Sequence, residues 1–205
     1  MRYFIELSYF GKNYHGVHAS QMFAHFDVNE ELNENFTYKL NAILPDDIVV
    51  YKTFLVDDET HARFDATSRS YEYKIFLGRN PFLLDTTWQI NYDLDINLMN
   101  KACEILFEYE DFECFSKVKT DVFTFNCTIT EAVWKQNEQE LTFYISANRF
   151  LRNMVRAIVG TLLDVGKGKT TLQEFRQIIE SKNRSKAGVS VPAKALFLTK
   201  VDYNF

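Results

Sequence analysis

Seven stretches of this chain read as β-strands and only three as helices, and the order in which they come leaves few folds open. Residues 1–9 set Tyr3, Ile5 and Leu7 against Arg2, Phe4 and Glu6, the period of two that puts successive side chains on opposite faces, and Gly11–Asn13 supplies a turn. Further strands are expected over 21–28, 48–55, 70–77, 124–135, 141–147 and 195–201. Helical spacing appears between 96 and 109, where Leu98, Met99, Ala102, Cys103, Leu106 and Phe107 recur and Asp95 stands at the capping position. Leu151, Met154, Val155, Ile158, Val159, Leu162 and Leu163 repeat the pattern and end near Gly166. Thr171 and Glu174 form a capping box ahead of Leu172, Phe175, Ile178 and Ile179. A strand-rich half, a helix, a hairpin around 136–140, two helices and a final strand make an α+β plan with a largely antiparallel mixed sheet. A doubly wound parallel sheet would need single strands alternating with helices, and that order is not found.

The 205 residues, 46% apolar with 7 Gly and 3 Pro, have the composition of an ordered globular chain and suffice for one large domain or two lobes. No apolar run approaches membrane-spanning length, and the first residues lack the charged and apolar regions of a signal peptide, so a cytoplasmic protein without a membrane partner is expected. Cys103, Cys114 and Cys127 are odd in number and lack C-x-x-C spacing, which predicts buried, reduced thiols. His15, His18, His25 and His61 show no metal-ligand spacing, and no metal site is expected. The net charge of −5 conceals a marked asymmetry. Residues 149–200 hold eleven Lys and Arg against three acids, whereas residues 1–148 hold 12 bases against 24 acids. One phosphate-facing surface on an otherwise acidic protein would give this distribution, and so would an ordinary solvated face.

Two constellations suit nucleic-acid chemistry. Strand 70–76 puts Tyr71, Tyr73 and Ile75 on one face, and residues 61–69, with Arg63 and Arg69, lead into it. A tyrosine reached through an arginine-bearing loop offers a flat π surface to an extruded base; a core tyrosine is the simpler alternative. In the second, Arg152, Arg156 and Gly160 fall at i, i+4 and i+8, one row of a helix, with Gly160 leaving room for close approach. Arg156 has apolar neighbours and needs a carboxylate or phosphate partner, whether structural or functional. The run Gly168-Lys169-Thr170 is not a phosphate-binding loop, because that motif would need glycine at Leu163.

These segments together resemble the tRNA pseudouridine synthase A family in chain order. Tyr9-Phe10-Gly11-Lys12-Asn13-Tyr14-His15-Gly16 is similar to its opening Y-D-G-x-x-Y-x-G-W, with Phe10 in place of the acid, and Gly16-Val17-His18-Ala19 to the end of G-R-T-D-x-G-V-H-A. Residues 61–73 resemble H-A-R-F-x-A-x-x-R-x-Y-x-Y, residues 150–160 F-x-x-x-M-V-R-x-I-V-G, and residues 192–196 P-A-x-G-L, with Ala195 where glycine is usual. The resemblance implies two α/β lobes, 1–80 and 81–205, with the active cleft between them. It further implies conversion of uridine to pseudouridine in the anticodon stem-loop of tRNA, just 3′ of the anticodon, by a homodimer without cofactor or metal. The resemblance makes Tyr71 the base-contacting residue and Arg156 the partner of the nucleophilic aspartate. Leu196, Arg63, Arg69 and His18 would contact substrate, and Arg152, Lys167, Lys169, Lys182, Arg184 and Lys186 phosphates.

One departure stands out: the first two motifs are fused at Gly16, and the tryptophan, a helix, a strand and the R-T-D carrying the aspartate are missing. Either the sequence as read omits a mobile segment or the chain carries a real deletion, in which case it binds tRNA without catalysis. The first is favoured, since removing a strand and a helix should expose core surface and leave sheet hydrogen bonds unpaired.

Overall fold

The computed structural model describes residues 1–118 and 122–204. Its strands are β1 (Arg2–Tyr9), β2 (His18–Asp27), β3 (Ile48–Val56), β4 (Ser68–Leu77), β5 (Trp88–Ile90), β6 (Ile129–Asn137), β7 (Glu140–Ala147) and β8 (Leu196–Asp202). The helices are α1 (Phe36–Ile43), α2 (Ile96–Leu106), α3 (Met154–Gly166) and α4 (Leu172–Glu180). All eight strands join one sheet in the order β3-β1-β2-β8-β4-β7-β6, with β5 beside β4. Only β2–β8 and β4–β5 run parallel, so the expected α+β plan with a largely antiparallel mixed sheet is what forms.

The main core lies where β4, β7 and β6 face α2, α3 and α4. Alternation along β7 buries Leu141, Phe143, Ile145 and Ala147, and Tyr73 and Ile75 of β4 lie beside them. Helix α3 is apolar nearly all round and sinks into this core, with Ala157, Ile158, Val159 and Leu162 fully buried. Asp95 caps α2 by accepting from the Leu98 amide at 2.8 Å. At α4, Thr171 Oγ1 accepts from the Glu174 amide while Glu174 Oε2 accepts from the Thr171 amide, the reciprocal pair read in the sequence. Thr171→Ala is expected to lower stability by about 1 kcal/mol in urea unfolding.

Cys103, Cys114 and Cys127 are free and buried, as expected. Burial pushes the Cys114 thiol up to about 12 and the Cys127 thiol up to about 11. In the unfolded chain these thiols ionise near pH 8.5, roughly the free value. The raised folded values mean that their contribution to stability is complete below that pH and is lost as pH rises through 11 and 12. The urea midpoint should therefore be lower at about pH 10.5 than at pH 7.5, and less so in a Cys114→Ala, Cys127→Ala variant.

Several boundaries differ from the sequence-based expectation. Helix α3 starts at Met154 rather than Leu151, because Asn153 takes a left-handed φ of 70° that helical geometry does not allow. Strand β6 begins at Ile129, not 124; the preceding residues contribute one isolated bridge, Asp111 to Asn126. Strand β2 begins at His18, three residues before the expected start. Helix α1 and the three-residue β5 were not anticipated.

The junction at Gly16 is continuous and compact. The Tyr14 and Gly16 amides both donate to the Gly11 carbonyl, at 2.9 and 2.8 Å, while His15 and Gly16 take left-handed φ values of 62° and 83°. A Cβ on Gly11 would lie 1.8 Å from the Val17 carbonyl oxygen, so only glycine lets the chain fold back this closely. The connection closes a hairpin, and β1 and β2 pair from Arg2 opposite Asp27 to Tyr9 opposite Ala19. The unpaired sheet hydrogen bonds expected of a deletion are thus not seen along β1–β2. The expected exposure is present in part: α1 buries none of its residues, and Tyr38, Ile43 and Leu55 are 78%, 80% and 58% exposed. On the opposite face of these strands Phe4 is buried among Phe23, Phe54 and Tyr203, which are themselves half-buried.

Candidate active site

A cleft of about 570 Å³ opens where the β1–β2 connection, β4, the approach to α3 and the start of β8 meet. The structure brings Tyr71, Arg63, Arg152, Arg156 and Leu196 to its walls, together with His15, Lys117 and Phe150.

Alternation along β4 that buries Tyr73 puts Tyr71 two residues nearer the cleft on the same face. Tyr73 is a core residue whose hydroxyl donates to the Pro192 carbonyl at 3.0 Å. The Tyr71 ring stands edge-on to Phe150, with centroids 5.1 Å apart and planes at 89°, and burial pushes its phenol pKa up. Its hydroxyl has no hydrogen-bond partner among the described residues.

Arg156 lies in the first turn of α3, and its Nε donates to the Val191 carbonyl at 2.6 Å while Val191 N donates to the Arg156 carbonyl at 3.2 Å. The Nε bond directs the side chain, and the backbone bond holds Val191 in place to receive it. Burial draws the guanidinium pKa down from its ordinary value, and Tyr73 offsets part of this. Among the described residues no carboxylate pairs with it, and neither Asp nor Glu lines the cleft, whereas Arg63, Lys117, Arg152 and Arg156 all do. Such walls select an anion. Arg152 precedes α3 instead of sharing a helical row with Arg156, because the left-handed Asn153 separates the two. Gly160 does permit close approach: a Cβ there would lie 1.9 Å from the Val189 carbonyl oxygen.

Other residues named from the sequence lie elsewhere. Arg69 is turned into the protein, donating to the carbonyls of Arg63, Ala66 and Asn148 and so bracing the loop that presents Arg63. His18 is 2% exposed: Nδ1 accepts from the Gly11 amide at 3.0 Å, Nε2 faces the Lys194 carbonyl at 2.9 Å, and the ring stacks on Phe197. It braces the junction and does not line the cleft. Lys167 and Lys169 stand at the C-terminal end of α3, about 20 Å from the cleft at 1.5 Å per residue, and Lys167 lies over the Tyr92 ring. Lys182 pairs with Asp111 at 2.6 Å, and Arg184 binds the Gly188 carbonyl and Ser190 Oγ within its own loop. Sequence reasoning missed His15 and Lys117 as lining residues, and neither carried a spacing that would have marked it.

A family model described as tRNA pseudouridine synthase matches residues 103–204. The chain is similar to tRNA pseudouridine synthase A of Parabacteroides distasonis, at 51% identity over 195 residues, and to that of Bacteroides fragilis, at 52% over 196. The aligned stretches cover 94% of this chain and 77% and 78% of those relatives. The chain belongs to the tRNA pseudouridine synthase family. The relative from Bacteroides thetaiotaomicron is 44% identical over 244 aligned positions that take in 98% of this chain and 90% of its own. Because the chain has 205 residues, at least 39 of those 244 positions face no residue of it.

Proposed function

We propose that this synthase-family protein isomerises uridine in the anticodon stem-loop of tRNA, just 3′ of the anticodon, with the Tyr71 cleft as the site of the extruded base. The observation that carries this is the meeting, from distant parts of the chain, of an aromatic face at Tyr71, an apolar wall at Leu196 and a directed cation at Arg156. Tyr71 stacks on uracil, Leu196 packs against it, and Arg63 and Arg152 hold the flanking phosphates. The N1–C1′ bond breaks, the base turns, C5 bonds to C1′ and loses its proton, and N1 takes up one proton in return. An ionised carboxylate is needed as nucleophile, and Arg156 is placed to keep such a group charged. On this reading the protein works in the cytoplasm as a homodimer, with lobes 1–80 and 81–205 flanking the RNA.

Among the described residues no Asp or Glu lines the cleft, and this favours a second reading, a tRNA-binding protein that does not catalyse. Release of tritium from tRNA labelled at uridine C5 separates the two, because only isomerisation expels that hydrogen. Tritium release by protein from its native cells, together with an intact mass above the 24.1 kDa of these residues, supports the synthase. Salt-sensitive tRNA binding without release, at a mass of 24.1 kDa, supports the binder.

A further inference from the structure

A second depression, of about 560 Å³, adjoins the Tyr71 cleft, and Lys117 lies in the wall of both. From these two depressions we infer that the neighbour is a second nucleotide site, taking the residue next to the extruded uridine in the same strand and favouring a base with an exocyclic amino group. The inference rests on the reading of the chain as a tRNA-binding protein and adds a contact outside the reacting nucleotide.

Four features fit a nucleotide. Phe125 is half-buried against the core, tethered by the Phe112 amide to its carbonyl at 3.1 Å, and lines the depression, so a rigid aromatic ring is available for stacking. Lys182 and Arg184 line it as well, and the Arg184 guanidinium is fixed by the Gly188 carbonyl and Ser190 Oγ while having no carboxylate partner among the described residues. Lys117 stands between the two volumes, where a phosphodiester joining two nucleosides would pass. Finally, Glu113 lines this depression, with Lys182 as its electrostatic neighbour, whereas among the described residues no acid lines the other. A carboxylate accepts from the amino group of adenine, cytosine or guanine, whereas uracil turns its carbonyl oxygens toward the same place and is repelled. The asymmetry in acids gives the two depressions different preferences.

The test measures binding of uridine 5′-monophosphate, UpU, UpA, ApU and whole tRNA to the full chain at low salt. UpA or ApU should bind about tenfold tighter than the mononucleotide, and about tenfold tighter than UpU. Phe125→Ala should remove the first gain and leave the mononucleotide unchanged; Phe125→Leu, which keeps apolar volume, should do the same if the alanine variant is unfolded, and Phe125→Tyr should retain the gain. Glu113→Gln should erase the preference over UpU. If tRNA binds but the dinucleotides gain nothing over the mononucleotide, or Phe125→Leu keeps the whole gain, the inference is overturned and the tRNA reading stands. If tRNA does not bind, both fall.

Discussion

Gly160→Ala is expected to destabilise the protein by about 3 kcal/mol, the upper end of the usual cost of overpacking. Gly160 lies in the middle of α3, where alanine would ordinarily be the better residue by about 1 kcal/mol. Here the segment 187–191 crosses the helix at contact distance: a Cβ on Gly160 would meet the Val189 carbonyl oxygen at 1.9 Å, and a Cβ on Gly188 would meet the Gly160 carbonyl carbon at 2.7 Å. Both obstacles are backbone and cannot rotate away. The same segment is pinned by the Gly188 amide donating to Thr161 Oγ1 at 2.9 Å and by the two hydrogen bonds between Arg156 and Val191. An added methyl therefore lifts the segment and releases Arg156 from its fixed direction, so tRNA affinity should fall along with the urea midpoint. Gly168→Ala is the control, since no atom lies within 4 Å of its Cβ position and only the strain of a left-handed φ of 69° remains, about 1–2 kcal/mol. Equal costs at the two positions would refute the packing argument.

Tyr71→Ala should lower tritium release from C5-labelled tRNA by at least about a thousandfold, because a misplaced base forfeits orientation. Affinity for tRNA should weaken by about tenfold or less, the worth of one stacked base. Tyr71→Phe separates two roles. Burial holds the phenol pKa above its ordinary value, so near neutral pH the hydroxyl keeps its proton. If stacking is the whole contribution, Tyr71→Phe retains most of the activity; if the hydroxyl assists removal of the C5 proton, it behaves like alanine. Normal release by Tyr71→Ala would mark the residue as part of the core, in line with its edge-on contact to Phe150.

Much of the architecture was legible because it depends on local rules. The Thr171–Glu174 capping box, the Asp95 cap and the alternation of β7 are written in neighbouring residues. The start of α3 was not, because the left-handed turn at Asn153 is held from 37 residues away, where Ser190 Oγ takes a 2.6 Å hydrogen bond from its side chain. Helix α1 escaped notice because it buries no residue and its Asn35 cap makes no side-chain hydrogen bond. For the site, family motifs singled out Tyr71, Arg156 and Leu196, but Lys117 and His15 reach the same cleft through tertiary structure alone. His18 shows the converse. It stands in a family motif, yet both of its ring nitrogens face backbone groups around the β1–β2 connection.

The cleft walls carry Arg63, Lys117, Arg152 and Arg156 and, among the described residues, no acid, an arrangement with a thermodynamic price for the empty protein. Like charges gathered on one concave surface repel, and folding must work against that repulsion. A bound polyanion cancels it, so occupancy and resistance to unfolding rise together. The native state is in this sense completed by its nucleic acid, and the melting temperature becomes a gauge of how much RNA is present.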